Sequence, residues 1–395
     1  MKVQRYKNAH LILLSVLMMT WPVMAAVHVQ CPGDIDGDAV IDVPDPFHPS
    51  NACLHLGAGD GFSIMADGTE MYTFGFSNLT GVPPEMAMHH GMMAAQIPAP
   101  TIEVEEGDEF YLSLTNVGMM MRPDLFDPHT VHFHGFPQAA SIFDGMPGAS
   151  IAINMGASLT YYYNIVEPGT YIYHCHVEAT EHMQMGMLGN LYVNPAQNNL
   201  PDGTDLNGFI HHTGYTYAYN DGDGTSYYDV GYPLQFSGFD RIFHEKHLAV
   251  QPLPFAEMAD TYSMINGRGY PDTLLPADDP SRPYQPVTSL IEATVGQKIL
   301  LRLSNLSTTD FFTIRVLGLP MRVIGKDAKL LRGPTGADLT YNTSSITMGG
   351  GETNDVIIDT TGAAAGTYFL YTTNLNFLSN DAEDYGGIMT EIRLN

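Results

Sequence analysis

Basic residues are scarce in this chain: 16 lysines and arginines stand against 43 aspartates and glutamates, a formal charge of −27 over 395 residues. A surface of that sign repels nucleic acid and attracts cations, so it excludes a nucleic-acid partner and suits cationic reductants, free metal ions or a basic redox protein. Beyond the opening segment no apolar run approaches the length of a membrane-spanning helix. Helical periodicity is missing over any long stretch, with only a brief helical turn expected through Val177, Glu178, Ala179 and Thr180. Cysteine is confined to Cys31, Cys53 and Cys175.

In place of these the chain has short apolar segments rich in Val, Ile, Tyr, Phe and Thr, alternating with polar residues between turn signals, with 39 glycines and 26 prolines spread throughout. That pattern predicts an all-β protein, with strands such as Thr101–Val104, Glu109–Leu114, Leu159–Ile165 and Gly189–Val193. The length allows two or three domains. Asn194–Gly208, with Pro195, Pro201 and Gly203, reads as a linker between them. Lys2, Arg5 and Lys7, the apolar run Leu11–Met19 and then Val23-Met24-Ala25 read as a secretory signal cleaved near Ala25 or Ala26. The mature protein is therefore expected to be periplasmic or secreted, with a formal charge of about −30 once three basic residues are removed.

The densest chemistry lies at Tyr173-His174-Cys175-His176, followed by His182 and Met187. Thiolate, imidazole and a weak thioether form the ligand set of a blue copper electron-transfer centre. A second segment, Asp127-Pro128-His129-Thr130-Val131-His132-Phe133-His134-Gly135, supplies further imidazoles. In an extended chain residues two apart share a face, so His132 and His134 point together while His129 points elsewhere. His129, Cys175, His182 and Met187 can then meet at one copper, and His132, His134, His174 and His176 at a second site. The alternatives are an inertly packed cysteine and, for the four histidines, zinc or a satisfied polar cluster.

These segments resemble the multicopper oxidase family, whose copper-rich domain carries a His-Pro-x-His-x-His-Gly motif and a His-Cys-His strand. The run Gln96-Ile97-Pro98-Ala99-Pro100-Thr101-Ile102-Glu103-Val104-Glu105-Glu106-Gly107-Asp108 looks like the opening of a cupredoxin domain in that family. The likeness is to two-domain members, which include laccase-like enzymes and copper nitrite reductases; it is close over residues 60 to 196 and looser over 205 to 395. It implies two cupredoxin-like Greek-key β-barrels. It also implies a type 1 copper on His129, Cys175, His182 and Met187, and a copper cluster on His132, His134, His174 and His176. Asp144 and Glu178 match the family's outer carboxylates, which supply protons for oxygen reduction. The spacing from His176 to His182 is two residues longer than in common laccases. A trinuclear cluster in the family uses four histidines from each of two domains, and this chain has one such set. Two copies of the first domain are therefore expected to face each other across a two-fold axis, as a homo-oligomer.

In the second half, Met264–Pro271, Ile299–Leu306 and Phe312–Asp327 resemble the copper-free middle domain of larger family members. Thr313, Ile314 and Arg315 stand where the first domain has His132 and His134, and Thr367–Thr373 holds neither histidine nor cysteine. His211, His212, His244 and His247 then read as surface or hydrogen-bonding residues. With Cys175 claimed by copper, Cys31 and Cys53 are free to pair in an exported chain. Between them Asp34, Asp36, Asp38, Asp42 and Asp45 fall at positions one, three, five, nine and twelve of a loop, an oxygen-ligand spacing that suits calcium. The loop is similar to those of dockerin and thrombospondin repeats, except that its glycine stands at position four and its last ligand is Asp. Met86, Met88, Met92 and Met93 surround His89 and His90, and Met119, Met120 and Met121 precede the first motif; thioethers suit a cuprous ion or simple gap-filling.

The expected organisation is a signal peptide over 1–25, a Cys-flanked acidic segment over 26–58, a copper-binding cupredoxin domain over 59–196 and a copper-free one over 205–395. The expected function is an exported oxidase that takes single electrons from a phenolic or metal-ion donor and delivers them to O2. A copper nitrite reductase, and a non-enzymatic electron carrier or copper-binding protein, are the alternatives.

Overall fold

The computed structural model describes residues 27–137 and 139–395, so the expected signal peptide lies outside the described residues. The first barrel is built from β1 (Asn51–Ile64), β2 (Glu70–Asn78), β3 (Ile102–Glu105), β4 (Glu109–Gly118), β5 (His132–Phe133), β6 (Ser158–Asn164), β7 (Gly169–His174) and β8 (Leu188–Asn194). Alternation sets their faces: in β3, Ile102 and Val104 turn inward while Glu103 and Glu105 face solvent. One sheet runs β2-β1-β4-β6 and the other β3-β8-β7-β5. β1 pairs parallel with β4 and β3 parallel with β8, so the hairpins alone do not make the sheets; strands cross between them. The faces meet on a core of Phe74, Phe76, Phe110, Tyr161, Tyr163, Tyr173 and Cys175.

The second barrel repeats this plan. One sheet orders Tyr262–Ile265, Val230–Phe239, Lys298–Asn305, Thr353–Asp359 and Met321–Lys326; the other orders Ile291–Ala293, Met389–Leu394, Gly366–Thr372, Phe312–Val316 and Ser345–Met348. Its core is aliphatic in the main, with Leu234, Leu301, Ile314, Val323, Ile358 and Leu370 fully buried. No helix among the described residues is long and apolar enough to cross a membrane.

One expected boundary falls inside an element, and some elements went unforeseen. β1 begins at Asn51, so the division at 58/59 cuts a strand; the disulfide Cys31–Cys53 ties the acidic segment directly to that strand. Sequence patterning also missed two of the three α-helices among the described residues, α1 (Pro84–Gly91) and α3 (Arg241–Leu248); the helical turn expected over Val177–Thr180 is found two residues on, as α2 (Ala179–Gln184). None is much longer than two turns, too short for periodicity to stand out. α3 follows the linker in sequence, yet its Phe243 packs into the first barrel's core.

Buried polar contacts lock the barrels together. Thr170 of β7 donates to Asp355 at 2.6 Å and accepts from Arg302 at 2.9 Å, and its carbonyl accepts from Thr353 at 3.0 Å. Asn190 of β8 accepts from Gln235 at 3.2 Å and Ser304 at 2.8 Å. Removing one partner would strand a desolvated group, at a cost of about 1–3 kcal/mol.

Candidate metal centres

Cys175 follows β7 and is fully buried. Its sulfur lies 3.2 Å from Nδ1 of His182 and 3.7 Å from Nδ1 of His129, and the three donor atoms lie within 4.8 Å of one another. His182 is fixed by α2, where its ring meets Phe74 edge-on at 5.8 Å. His129 is fixed by reciprocal backbone bonds with Ile153 at 3.0 and 2.9 Å. Met187 is fully buried in the same turn: its N–H donates to the His182 carbonyl at 2.9 Å, and its carbonyl accepts from the Cys175 N–H at 3.2 Å.

Burial pushes the Cys175 thiol up to about 11, holds His182 down to about 4, and holds His129 well below the ordinary imidazole range. The uncharged forms therefore prevail until a cation arrives. Nε2 of His129 and of His182 has no hydrogen-bond partner, while both Nδ1 atoms face the sulfur. Two imidazole lone pairs and a thiol aimed at one dry spot fit a soft metal ion, which would convert the thiol to thiolate.

The second group stands at the end of the sheet that carries Cys175. β5 and β7 pair with His132 opposite His174 and Phe133 opposite Tyr173. Phe133 turns into the core, so the histidines either side of it share the other face, with rings 5.6 Å apart. His132 donates from Nδ1 to the Asp144 carbonyl at 2.6 Å, and His174 from Nδ1 to the Cys175 carbonyl at 2.7 Å. His134 is hydrogen-bonded to the backbone of Gly351, in the second barrel. Nε2 of His134 and of His174 then point at each other across 2.9 Å. Burial depresses both imidazoles, His174 to about 3, so a proton is a poor bridge at neutral pH. A metal ion accepts both lone pairs, and donors from His132, His134 and His174 lie within 4.8 Å of one another.

Four expected roles change. His176 is outside that trio of donors, although its ring stands 4.9 Å from that of His132; its N–H is held by Thr130 at 3.1 Å. Asp144 serves His132 through its main-chain carbonyl, with its carboxylate 3.7 Å from Nδ1. Glu178 adopts a left-handed conformation, φ 46°, and its carboxylate groups with Asp127 and His182, on the thiolate side rather than at the histidine cluster. In the acidic loop only Asp34, Asp36 and Asp42 converge; Asp38 caps the Val40 N–H at 2.8 Å and Asp45 the Phe47 N–H at 2.9 Å.

Sequence reasoning also missed what surrounds the centres. On α3, His244 lies against the carbonyls of Tyr72 (2.6 Å) and Gln184 (2.9 Å), and His247 against Glu181 (2.8 Å), so α3 braces α2 from behind. Of the four later histidines, His211 too is buried and only His212 is exposed. A cavity of about 350 Å³ opens beside His134, His174 and His176, and its far wall is Ser307–Phe311 with Gly350 and Gly351 of the same chain. The surface expected to receive a second first domain is thus partly faced by this chain's own second barrel. Met119 is a core residue, while Met86, Met120 and Met121 are exposed.

Two cupredoxin-like barrels, with a buried Cys–His donor set beside a histidine cluster in the first, define the class. Two family models described as multicopper oxidase match residues 81–198 and 243–390. The chain belongs to the multicopper oxidase family, whose members hold copper. It is 30% identical over 247 residues to multicopper oxidase MmcO of Mycobacterium tuberculosis, covering 58% of this chain and 41% of that protein. With copper resistance protein A of Escherichia coli it shares 27% over 284 residues, 68% of this chain and 42% of the relative. The chain thus spans less than half the length of these two relatives. Among solved structures it is similar to the blue copper oxidase from Nitrosomonas europaea, with a TM-score of 0.61 and 25% identity over 86% of this chain and 85% of that one. A copper nitrite reductase from the same organism shares the fold, with a TM-score of 0.54 at 15% identity over 86% of this chain and 93% of that one.

Proposed function

We propose that this chain is an exported, periplasmic or secreted, multicopper oxidase of two cupredoxin domains, all of whose redox copper is in the first. In this reading His129, Cys175, His182 and Met187 hold a type 1 copper. His132, His134 and His174 hold the ion or ions of the cluster, with His176 beside them. Copper there would supply one-electron acceptance at one site and O2 reduction at the other. The observation that carries the reading is that His174 and Cys175, adjacent in sequence, belong to two different donor sets and share a hydrogen bond of 2.7 Å. A through-bond connection of that kind lets a donor site and an oxygen site be separate yet coupled.

The chain's own groups divide the remaining work. Asp127 and Glu178 flank the Nε2 edge of His182, where an electron donor would approach, and favour a cation over an anion. A low-valent metal ion or a phenol is the proposed donor, with a basic redox protein as a further partner. Asp144 holds the His132 ring in register through its carbonyl. We assign the acidic loop a structural calcium on Asp34, Asp36 and Asp42, and the assembly a homo-oligomer that completes the cluster from the open side of the cavity.

The test is oxygen uptake by copper-reconstituted protein with a phenolic donor, beside nitrite-dependent nitric oxide release. Oxygen uptake without nitric oxide is expected. Nitric oxide release alone would make the chain a nitrite reductase, and a reversible blue colour with neither activity would make it a carrier. The cavity's far wall, Ser307–Phe311 with Gly350 and Gly351, holds no histidine, which weighs against nitrite chemistry within one chain.

A further inference from the structure

The cavity beside the histidine cluster has hydroxyls and a carboxylate opposite the imidazoles. Thr309 and Asp310 line it directly. Behind them sits Asp260, half-buried between the barrels, its Oδ1 accepting from Gln184 of α2 at 2.8 Å. Its Oδ2 lies 2.9 Å from the Thr309 hydroxyl and 3.3 Å from that of Ser307. The Thr309 hydroxyl is also 3.2 Å from Oδ2 of Asp310.

One hydroxyl carries one hydrogen, and here it stands between two carboxylates. If both were ionised, one contact would set lone pair against lone pair. A single extra proton satisfies everything: Asp260 donates to Thr309, and Thr309 donates to Asp310. We propose that Asp260, Thr309 and Asp310 form a proton relay that delivers to the cavity facing His134 and His174, with Asp260 as its reservoir. The proposal rests on the oxidase reading. Reduction of one O2 to two waters consumes four electrons, from the donor, and four protons. In the relay each proton passes from Asp260 to Thr309 as the Thr309 hydrogen passes to Asp310; Asp310 releases it into the cavity, and Asp260 is recharged from solvent.

The charged groups facing Asp260 are Asp310 from the cavity wall and Asp240 at the head of α3, both acidic; Gln184 faces it as a neutral amide. Burial, reinforced by those two carboxylates, pushes Asp260 up to about 7, where a carboxyl both gives and takes a proton near neutrality. Asp144 and Glu178 leave this role open, one acting through its carbonyl and the other lying on the thiolate side.

The first test needs no copper. The infrared spectrum of the metal-free protein should contain the carbonyl stretch of a protonated carboxyl that fades as pH rises through about 7. That band should be missing in Asp260→Asn, and in Asp310→Asn it should titrate at lower pH because a facing carboxylate is gone. The second test uses copper-reconstituted protein. Thr309→Val, at an exposed position, should lower oxygen uptake by about tenfold, and Thr309→Ser should restore it. A carboxyl that stays ionised throughout, or Asp260→Asn and Thr309→Val enzymes with the parent's rate and pH profile, would overturn the relay alone. No oxygen uptake by the parent would overturn the oxidase reading and the relay with it.

Discussion

The two barrels make nearly the same cross-strand connections and differ almost entirely in what the connections present. In the first, β1 pairs parallel with β4, and β3 with β8; in the second, Val230–Phe239 pairs parallel with Lys298–Asn305, and Ile291–Ala293 with Met389–Leu394. Where β5 sets His132 against His174, the strand Phe312–Val316 sets Ile314 against Thr372 and Arg315 against Tyr371. The first core closes around a thiol and its imidazoles, the second around aliphatic side chains. Fold therefore decides where donors can converge, and the residues at a few ladder positions decide whether any do. The second barrel's contribution is a wall: Gly351 bonds to His134, and Ser307–Phe311 close the cavity.

That contrast can be broken at its strongest point by Cys175→Ser. Copper-loaded variant protein should lose its intense visible absorption completely while its far-ultraviolet dichroism is unchanged; a variant that stayed blue would remove the thiolate assignment. Next in size, His134→Ala should keep the colour and cut oxygen uptake on the order of 100-fold, because one lone pair of the cluster disappears. Gly351→Ala carries the effect across the domain boundary. At φ +92° an added Cβ would stand 2.9 Å from the His134 ring, so retention of cluster copper in competition with a chelator should weaken about tenfold.

Acid should separate the barrels by a smaller margin. His55, fully buried in β1, is held down to about 4 by burial, and His244, docked from α3 onto the first barrel, is also held down to about 4. Such groups take up protons in the unfolded chain first. Their stabilising contribution is complete above about pH 6.5 and is lost as pH falls from there toward 4. The strands of the second barrel carry no histidine, the sequence having none after His247. Amide exchange of metal-free protein between pH 7 and 4 should show the first barrel losing protection ahead of the second; simultaneous loss would contradict this. The smallest effect is a predicted nil: the double graft Thr313→His with Arg315→His should add no copper per chain, because the neighbouring strand Gly366–Thr372 offers no thiolate or imidazole.

Much of the chemistry was legible because it is local. A period of two placed His132 and His134 on one face, and the chain adjacency of His174 and Cys175 split them between two sites without any tertiary information. Strand assignments such as Thr101–Val104, found as Ile102–Glu105, missed by one residue, since alternation fixes faces better than ends. Misses came where geometry is not periodic. Glu178 turns left-handed between His176 and His182, so counting residues through that turn could not say which site its carboxylate meets. The bracing of α2 by α3, and Ser307–Phe311 opposite the histidines, are contacts between residues far apart in sequence, which local patterning does not encode.

Anomalous diffraction at the copper edge from crystals of copper-loaded protein addresses the central assignment most directly. Peaks are predicted among His129, Cys175 and His182 and among His132, His134 and His174, with none inside the second barrel. A peak within the second barrel, or an empty position beside Cys175 in fully loaded protein, would contradict it.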